Sequence, residues 1–395
     1  MQEKFSRKTI LSIFMLGTFA VGMTEYVVTG LLTQFANDLH VDVSTTGLLL
    51  SVYAISVAIF GPLIRILTIK YSPKPLLLGL TAIFIISNII AANAPNFETL
   101  LASRLFSATM HAPFFGVCMN LAVRISEPAK RTGAISAVQG GLTIAVMLGV
   151  PFGSFLGGML NWRLVFWLIA ILGLLTFIGL AIVTPNAKPT EAPNLRKELR
   201  NLKNRHVLMV VAIIVFGLSG IFTAYTFIEP MLREITGFDI TGVTIALFFF
   251  GLGGVIGNIA SGKIRPSRLT SWLIAALGAF AIVLAVYTFL IQHAFLALVM
   301  SFLFGAGAFG LAPILNAKII ISSPEAPSLS GTIAASVFNL ANFIGATLGS
   351  SLLDGGLTYT MITFVAAGMM LIGMILTVIM FRIEDKSIFS DTGND

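Results

Sequence analysis

A chain of 395 residues in which 56% are hydrophobic and only 10% charged cannot clothe a water-soluble surface, because soluble domains carry about 25% charged residues. The apolar excess must therefore face lipid. The net charge of +7 would suggest nucleic acid in a soluble protein, but here Lys and Arg stand beside apolar runs, the pattern of membrane topology.

Lys4, Arg7 and Lys8 precede an apolar run that lasts to about Leu32. It is too long for a signal h-region and no small-residue cleavage site closes it, so it reads as a first membrane span. A bilayer core takes about 20 apolar residues per helix. Breaks at charges, Pro and Asn then predict twelve spans, at roughly 9–32, 43–68, 75–93, 99–123, 132–158, 163–184, 207–232, 241–263, 270–291, 294–317, 328–352 and 359–381. The single cysteine, Cys118 in the fourth span, excludes a disulfide framework and reads as a small core residue.

With the N-terminus in the cytoplasm, all but three of the 24 Lys and Arg fall on the cytoplasmic side. They sit in the N-terminal tail, the even-numbered turns, the central loop and the C-terminal tail. Arg163 and Arg233 lie opposite and Arg104 lies within a span. This asymmetry predicts both termini inside. The one long polar stretch, 185–206, opens with Pro185, Pro189 and Pro193 and turns basic. Its Leu195–Arg205 part reads either as a helix on the anionic inner leaflet or as a solvated linker. The predicted organisation is an N-terminal six-helix bundle, 1–184, a cytoplasmic linker, 185–206, and a C-terminal six-helix bundle with its tail, 207–395.

Small residues recur at helical spacing. Gly149, Gly153 and Gly157 lie four apart in the fifth span with Pro151 between them, Gly345 and Gly349 in the eleventh, and Gly253 and Gly257 in the eighth. Such faces let helix backbones approach and slide. Matching placement in the two halves predicts a moving half-to-half interface, beside a plain packing role.

Charged groups at membrane depth are few. Glu25 lies somewhat past the middle of the first span; an ionised carboxylate there is costly unless paired or wetted. A carboxyl that gains and loses a proton suits proton coupling or a cationic substrate, and the alternative is a paired structural glutamate. Arg104 lies at a similar depth in the fourth span, so the two are placed to pair in one state and part in another. His111, two turns on, is read as a proton relay, a substrate donor or a satisfied core group. Asn120, Gln139, Asn258, Asn316, Asn339 and Asn342 are candidate ligand-binding amides or inter-helix glue. Tyr26, Tyr53, Tyr225, Phe227 and Trp167 are candidates for an aromatic cavity. Glu229-Pro230 and Asp354 fall near the outer interface and read as solvated.

Several stretches carry a family resemblance. Gly22-Met23-Thr24-Glu25-Tyr26 is similar to the first-helix signature of the drug:proton antiporter branch of the major facilitator superfamily. Ser103-Arg104 through His111-Ala112 resembles its fourth-helix motif, and Gly149-Val150-Pro151-Phe152-Gly153 with Gly157-Gly158 resembles its fifth-helix antiporter motif. Asn161-Trp162-Arg163 and Ala341-Asn342-Phe343-Ile344-Gly345 follow the same pattern, and the likeness runs from about residue 10 to 380. Arabinose-efflux (AraJ-like) and purine-efflux members are the nearest in appearance. The resemblance implies an all-α membrane fold of two pseudo-symmetric six-helix bundles, alternating access, and a proton-transfer role for Arg104. One departure stands out. Between the second and third spans Gly61-Pro62, Arg65 and Lys70 are present, but the family's aspartate is not, and the turn after the eighth span lacks it too. Arg65 and Lys70 are left to bind helix C-terminal carbonyls or lipid phosphate.

No phosphate-binding loop, metal-ligand spacing or hydrolase motif occurs, and His40, His111, His206 and His293 fall on different elements. Gly251-Leu252-Gly253-Gly254-Val255-Ile256-Gly257 echoes a nucleotide fingerprint but lies inside a span, where it reads as helix packing. The expectation is a monomeric, multi-pass inner-membrane carrier, not an enzyme, with no cofactor, metal or nucleic acid. Its partners are lipid, protons and a small-molecule substrate. The leading function is proton-coupled antiport that exports drugs, such as chloramphenicol-like compounds, or metabolites. Glu25, Arg104 and His111 would carry coupling. The alternatives are an uncoupled facilitator, a dedicated sugar or purine-nucleoside exporter, and a non-transporting sensor.

Overall fold

In lipid a segment must satisfy its own backbone groups, so long apolar runs fold as helices. The computed structural model describes residues 5–68, 70–185, 204–322 and 330–391, and among these all regular structure is helical. The membrane helices are α1 (Arg7–Tyr26), α2 (Leu48–Thr68), α3 (Pro73–Ala92), α4 (Phe97–Arg124), α5 (Arg131–Ile144, running on through Val150–Leu156 to Asn161), α6 (Trp162–Val183), α7 (Arg205–Tyr225), α8 (Ile240–Ser261), α9 (Leu269–Leu290), α10 (Ala294–Ser322), α11 (Ser330–Asp354) and α12 (Tyr359–Asp391). Of the predicted linker, 185–206, residues 186–203 lie outside the described residues, as does the Arg65 side chain, while Arg205 and His206 already belong to α7.

Eleven stretches are long and apolar enough to cross a membrane, but one of them, Gly133–Val183, has 51 residues, about two crossings. It turns at Asn161, whose backbone is extended (φ −160°, ψ 132°) and whose side chain accepts from the Arg163 N–H to start α6. Counted as two, it restores the twelve predicted spans. Within α5 the coil widens over Ala145–Gly149. Pro151, just beyond, has no N–H to give and its ring crowds the carbonyl four residues back, which a wider turn relieves. The predicted first and seventh spans are shorter than expected. α1 tightens into a 3-10 turn at Val27–Gly30, and α7 stops at Tyr225 before a separate short helix, Ile228–Glu234.

The two halves repeat one packing scheme. α1 packs on α5 as α7 packs on α11; α2 on α4 as α8 on α10; α3 on α6 as α9 on α12. The glycine faces serve these pairs and not the half-to-half interface expected of them. Gly149, Gly153 and Gly157 admit Met23 of α1 and Val27 and Leu31 just beyond it, in the same half. Gly345 and Gly349 admit Phe222 and Phe227, and Gly253 and Gly257 admit the α10 backbone. Spacing alone marks close approach; it does not say which neighbour approaches. Gly61 likewise lets α2 close on Ala112 of α4, while Pro62 is half-buried within α2 and Lys70 is exposed.

The halves meet where α2 faces α11 and α5 faces α8. Side-chain bridges between them gather at the end of the bundle away from the termini. Thr29 Oγ1 donates to Tyr225 Oη at 3.2 Å, Thr347 Oγ1 to Ser51 Oγ at 3.1 Å, and Thr33 to Glu229 Oε2 from both its N–H (3.1 Å) and its hydroxyl (2.8 Å). Phe227 wedges against Gly47 and Gly349, one from each half. This corrects the reading of Glu229 as solvated: its residue is fully buried and its other oxygen accepts from Arg233 Nε. Asp354 is exposed as expected.

Beside this seal, Asp38 accepts from Trp162 Nε1 at 3.0 Å and Arg163 Nη1 at 2.5 Å. The Arg163 hydrogen bond holds the Asp38 carboxyl below the usual carboxylate range. A depressed folded value contributes stability that is complete above the unfolded value of about 3.9 and is lost as pH falls through the folded value. Asp38→Asn is therefore expected to lower the unfolding midpoint at neutral pH and to match wild type in strong acid, as read by scanning fluorimetry in detergent.

Candidate functional site

The site is assembled by three helices of the N-terminal half. α1 presents Glu25 in its last turn, α4 presents Arg104 and His111 two turns apart on one face, and α2 presents Tyr53. All four residues are buried, Arg104 and Tyr53 to within 1%. The His111 Nδ1 lies 3.0 Å from the Tyr53 hydroxyl and 3.8 Å from Glu25 Oε2. The imidazole also stacks on Phe115, with ring centroids 5.1 Å apart and 19° between planes.

Arg104 is not paired with the Glu25 side chain. Its Nη1 donates to the Thr24 carbonyl at 2.5 Å and its Nη2 reaches the Glu25 carbonyl at 3.4 Å. Its guanidinium carbon sits 4.2 Å from the Tyr53 ring centroid. The last carbonyls of a helix lack full intrahelical partners and attract cations, and an aromatic face adds to this where water is excluded. Arg104 therefore fixes the end of α1, and the Glu25 carboxyl stays available to His111. Thr24 beside it donates to Asn88 Oδ1 of α3 at 2.6 Å, a buried polar tie that pattern reading did not single out. Arg104→Lys keeps the charge but loses the planar fork and most of the ring contact. A transport rate reduced by about tenfold or more is expected in vesicles, the loss of one charge-assisted hydrogen bond at about 1.5–3 kcal/mol.

The residue after Glu25 links this group to the other half. The Tyr26 ring meets Tyr225 of α7 edge-on at 6.4 Å and Phe309 of α10 at 6.2 Å. Tyr225 in turn stacks on Phe250 of α8 at 4.8 Å and 15°, and Phe304 closes the cluster. Tyr26 and Tyr225 thus share one aromatic cluster, while Tyr53 packs against His111 and Arg104 instead. Phe250, Phe304 and Phe309 were not foreseen, because three among 32 Phe in apolar spans carry no distinguishing mark. Trp167 is 40% exposed on α6, and Phe227 belongs to the seal described above.

The amides are more scattered. Asn342 is buried with no partner for its Oδ1; Asn339 gives its amide to the Ala335 carbonyl at 3.0 Å, and its own Oδ1 is also unpartnered. Asn120 of α4 and Asn316 of α10 are half-buried and Gln139 of α5 is exposed, all toward the end of the bundle where the termini lie. Among the described residues no cluster of His, Cys, Asp and Glu has metal-binding form.

The relationship to known proteins follows the same outline. The family model described as Major Facilitator Superfamily matches residues 14–346. The "Uncharacterized MFS-type transporter YfhI" of Bacillus subtilis (strain 168) is 45% identical over 97% of both chains. The "Inner membrane transport protein YdhP" of Escherichia coli (strain K12) is 32% identical over 89% of this chain and 90% of its own. A "Probable sugar efflux transporter" of Helicobacter pylori (strain ATCC 700392 / 26695) is 30% identical over 88% of this chain and 89% of its own. Among solved structures, a bacterial homologue of the human lysosomal transporter Spinster, inward-facing and unoccupied, superposes with TM-score 0.70 at 17% identity, covering 94% and 95% of the two chains. Twelve helices in two repeated bundles, a family match over most of the length and a relative 45% identical over 97% of it make this chain a multi-pass membrane protein of the Major Facilitator Superfamily.

Proposed function

We propose that this chain exports small organic molecules from the cytoplasm in exchange for protons, with Glu25 as the shared binding point. The observation that carries this reading is the position of Glu25. It is a buried carboxyl with no basic side chain on it but a histidine 3.8 Å away, one residue before the aromatic contact between the halves.

A protonated Glu25 is neutral and is able to donate toward His111 Nδ1. An ionised Glu25 leaves that contact to a protonated imidazole, to the Tyr53 hydroxyl or to a substrate cation. An intramembrane carboxylate left without such a partner is costly, so a proton competes for it with a substrate that brings a cation or hydrogen-bond donors. Because Tyr26 is its neighbour, the change is felt where Tyr225 and Phe309 are in contact. With both termini in the cytoplasm, the sealed end built from Thr33, Ser51, Glu229 and Thr347 faces outward and the amide-lined end faces in. The halves then rock about the site in alternating access. The unpartnered amide oxygens of Asn339 and Asn342 favour substrates that bring hydroxyl or N–H donors. This suits sugars and chloramphenicol-like compounds alike, and the efflux named for the Helicobacter relative points the same way.

Proteoliposomes holding a pH-sensitive dye test this directly. Under an imposed proton gradient, a panel of sugars, purine nucleosides and chloramphenicol-like drugs is added in turn. Substrate-dependent collapse of the gradient supports exchange and identifies the class. Labelled substrate crossing with no proton movement would instead make the chain an uncoupled facilitator with a structural Glu25.

A further inference from the structure

At the end of the C-terminal half where the termini lie, α9 packs on α10 and α12 and stands off α8. The gap is a groove of about 590 Å³, within the ~300–1,000 Å³ of ordinary ligand sites. Its wall is apolar, with bulkier Phe280, Val283 and Ile314 beside small residues: Gly257 and Ala260 of α8, Ala276 and Ala279 of α9, and Gly307 and Gly310 of α10. Trp272 and Leu303 at its edge are 52% and 41% exposed, so it opens sideways toward the bilayer and not only to water. Its mouth carries Lys263, Arg265 and Arg268. All three are exposed, none forms an ion pair among the described residues, and no acid lines the groove. These are the turn positions where the family's aspartate is missing.

We propose that this groove is a binding site for an anionic phospholipid. One acyl chain lies along the small residues between α8, α9 and α10, and the headgroup phosphate sits among Lys263, Arg265 and Arg268. The arrangement satisfies both parts of the molecule at once. An apolar slot open to lipid fills with hydrocarbon in a bilayer, and three unpaired cations at its rim select which lipid supplies the chain. Arg presents a planar fork of donors that matches a phosphate. Each basic residue near an anionic headgroup raises occupancy about fivefold. A zwitterionic lipid offers the same chain but cancels the charge. The proposal does not depend on what the protein transports.

Trp272 is the built-in reporter. The protein is placed in nanodiscs of zwitterionic lipid containing a minor fraction of chain-brominated lipid, either anionic or zwitterionic, and the Trp272 signal is taken as wild type minus Trp272→Phe. The expected result is several-fold stronger quenching by the anionic brominated lipid. That excess falls by about fivefold for each of Lys263→Gln, Arg265→Gln and Arg268→Gln. Ala279→Leu, which narrows the slot without touching charge, is expected to weaken quenching by both lipids. Equal quenching by the two lipids, or an excess unchanged by the three Gln variants, would mean ordinary boundary lipid and would overturn the proposal. Removal of the excess by inorganic phosphate would also overturn it, because the site would then recognise free anions.

Discussion

Glu25→Gln is expected to abolish substrate-driven proton movement while leaving substrate exchange across the membrane in place. The amide keeps the shape of the carboxyl and its place beside His111 Nδ1, 3.8 Å from Glu25 in the native chain, but it neither binds nor releases a proton. Coupling between two ligands at one site is typically about 1–3 kcal/mol, a factor of about 5–150 in affinity. In wild type the substrate affinity therefore varies by about that factor as pH crosses the titration of the site; in Glu25→Gln it is flat. The expected sign is weaker binding at low pH, where the proton occupies the shared carboxyl. A companion variant, Tyr53→Phe, removes the hydroxyl 3.0 Å from the same nitrogen and is expected to displace the pH profile without flattening it.

The second large effect is expected at the sealed end. Glu229 is fully buried, accepts twice from Thr33 across the interface and once from Arg233 of its own helix. Glu229→Gln preserves the volume and one acceptor oxygen but removes the charge that strengthens all three bonds. Hydrogen bonds to charged groups contribute about 1.5–3 kcal/mol against about 0.5–1.5 for neutral ones. A loss of about 1.4 kcal/mol moves the equilibrium between sealed and open forms about tenfold. The reporter is Ser51→Cys, which sits at the bridge to Thr347, in a background where the buried Cys118 is replaced by Ser. Labelling of that thiol by a membrane-impermeant maleimide applied to the outer face is expected to be about tenfold faster with Glu229→Gln. Unchanged labelling would show that the seal rests on apolar packing, such as Phe227 against Gly47 and Gly349, and not on the buried carboxylate.

The two variants separate two roles that the sequence leaves together as acids near one membrane face. Span number was legible because the bilayer imposes a length and apolar composition reports it. The count survives even where α5 and α6 run on through Asn161 with little polar warning. The glycine ladder of α5 was legible as a close-packing face, but its partner was not. Four-residue spacing describes one helix surface and carries no information about the second. Glu25, Arg104 and His111 stood out because charge at bilayer depth is rare, and they do lie together. What pattern could not give is how they are served. Arg104 is held by backbone carbonyls of α1, and carbonyls are present at every position of every sequence. Glu229 was misread for a related reason. Its partner Thr33 is 196 residues away in the other half, and only folding shows that two segment ends meet. The aromatic bridge was half legible: the tyrosines are few enough to notice, while Phe250, Phe304 and Phe309 are lost among residues that any apolar span contains.

Whether a proton and a substrate share Glu25 is read most directly from proton release by the purified protein in unbuffered detergent solution, titrated with a transported substrate. Wild type is expected to release protons on saturation, with a maximum near the pH at which the site titrates and none well above it, and Glu25→Gln is expected to bind the same substrate and release none. Equal release by wild type and Glu25→Gln, or saturable binding with no release at any pH, would contradict a shared site and leave Glu25 a structural carboxyl.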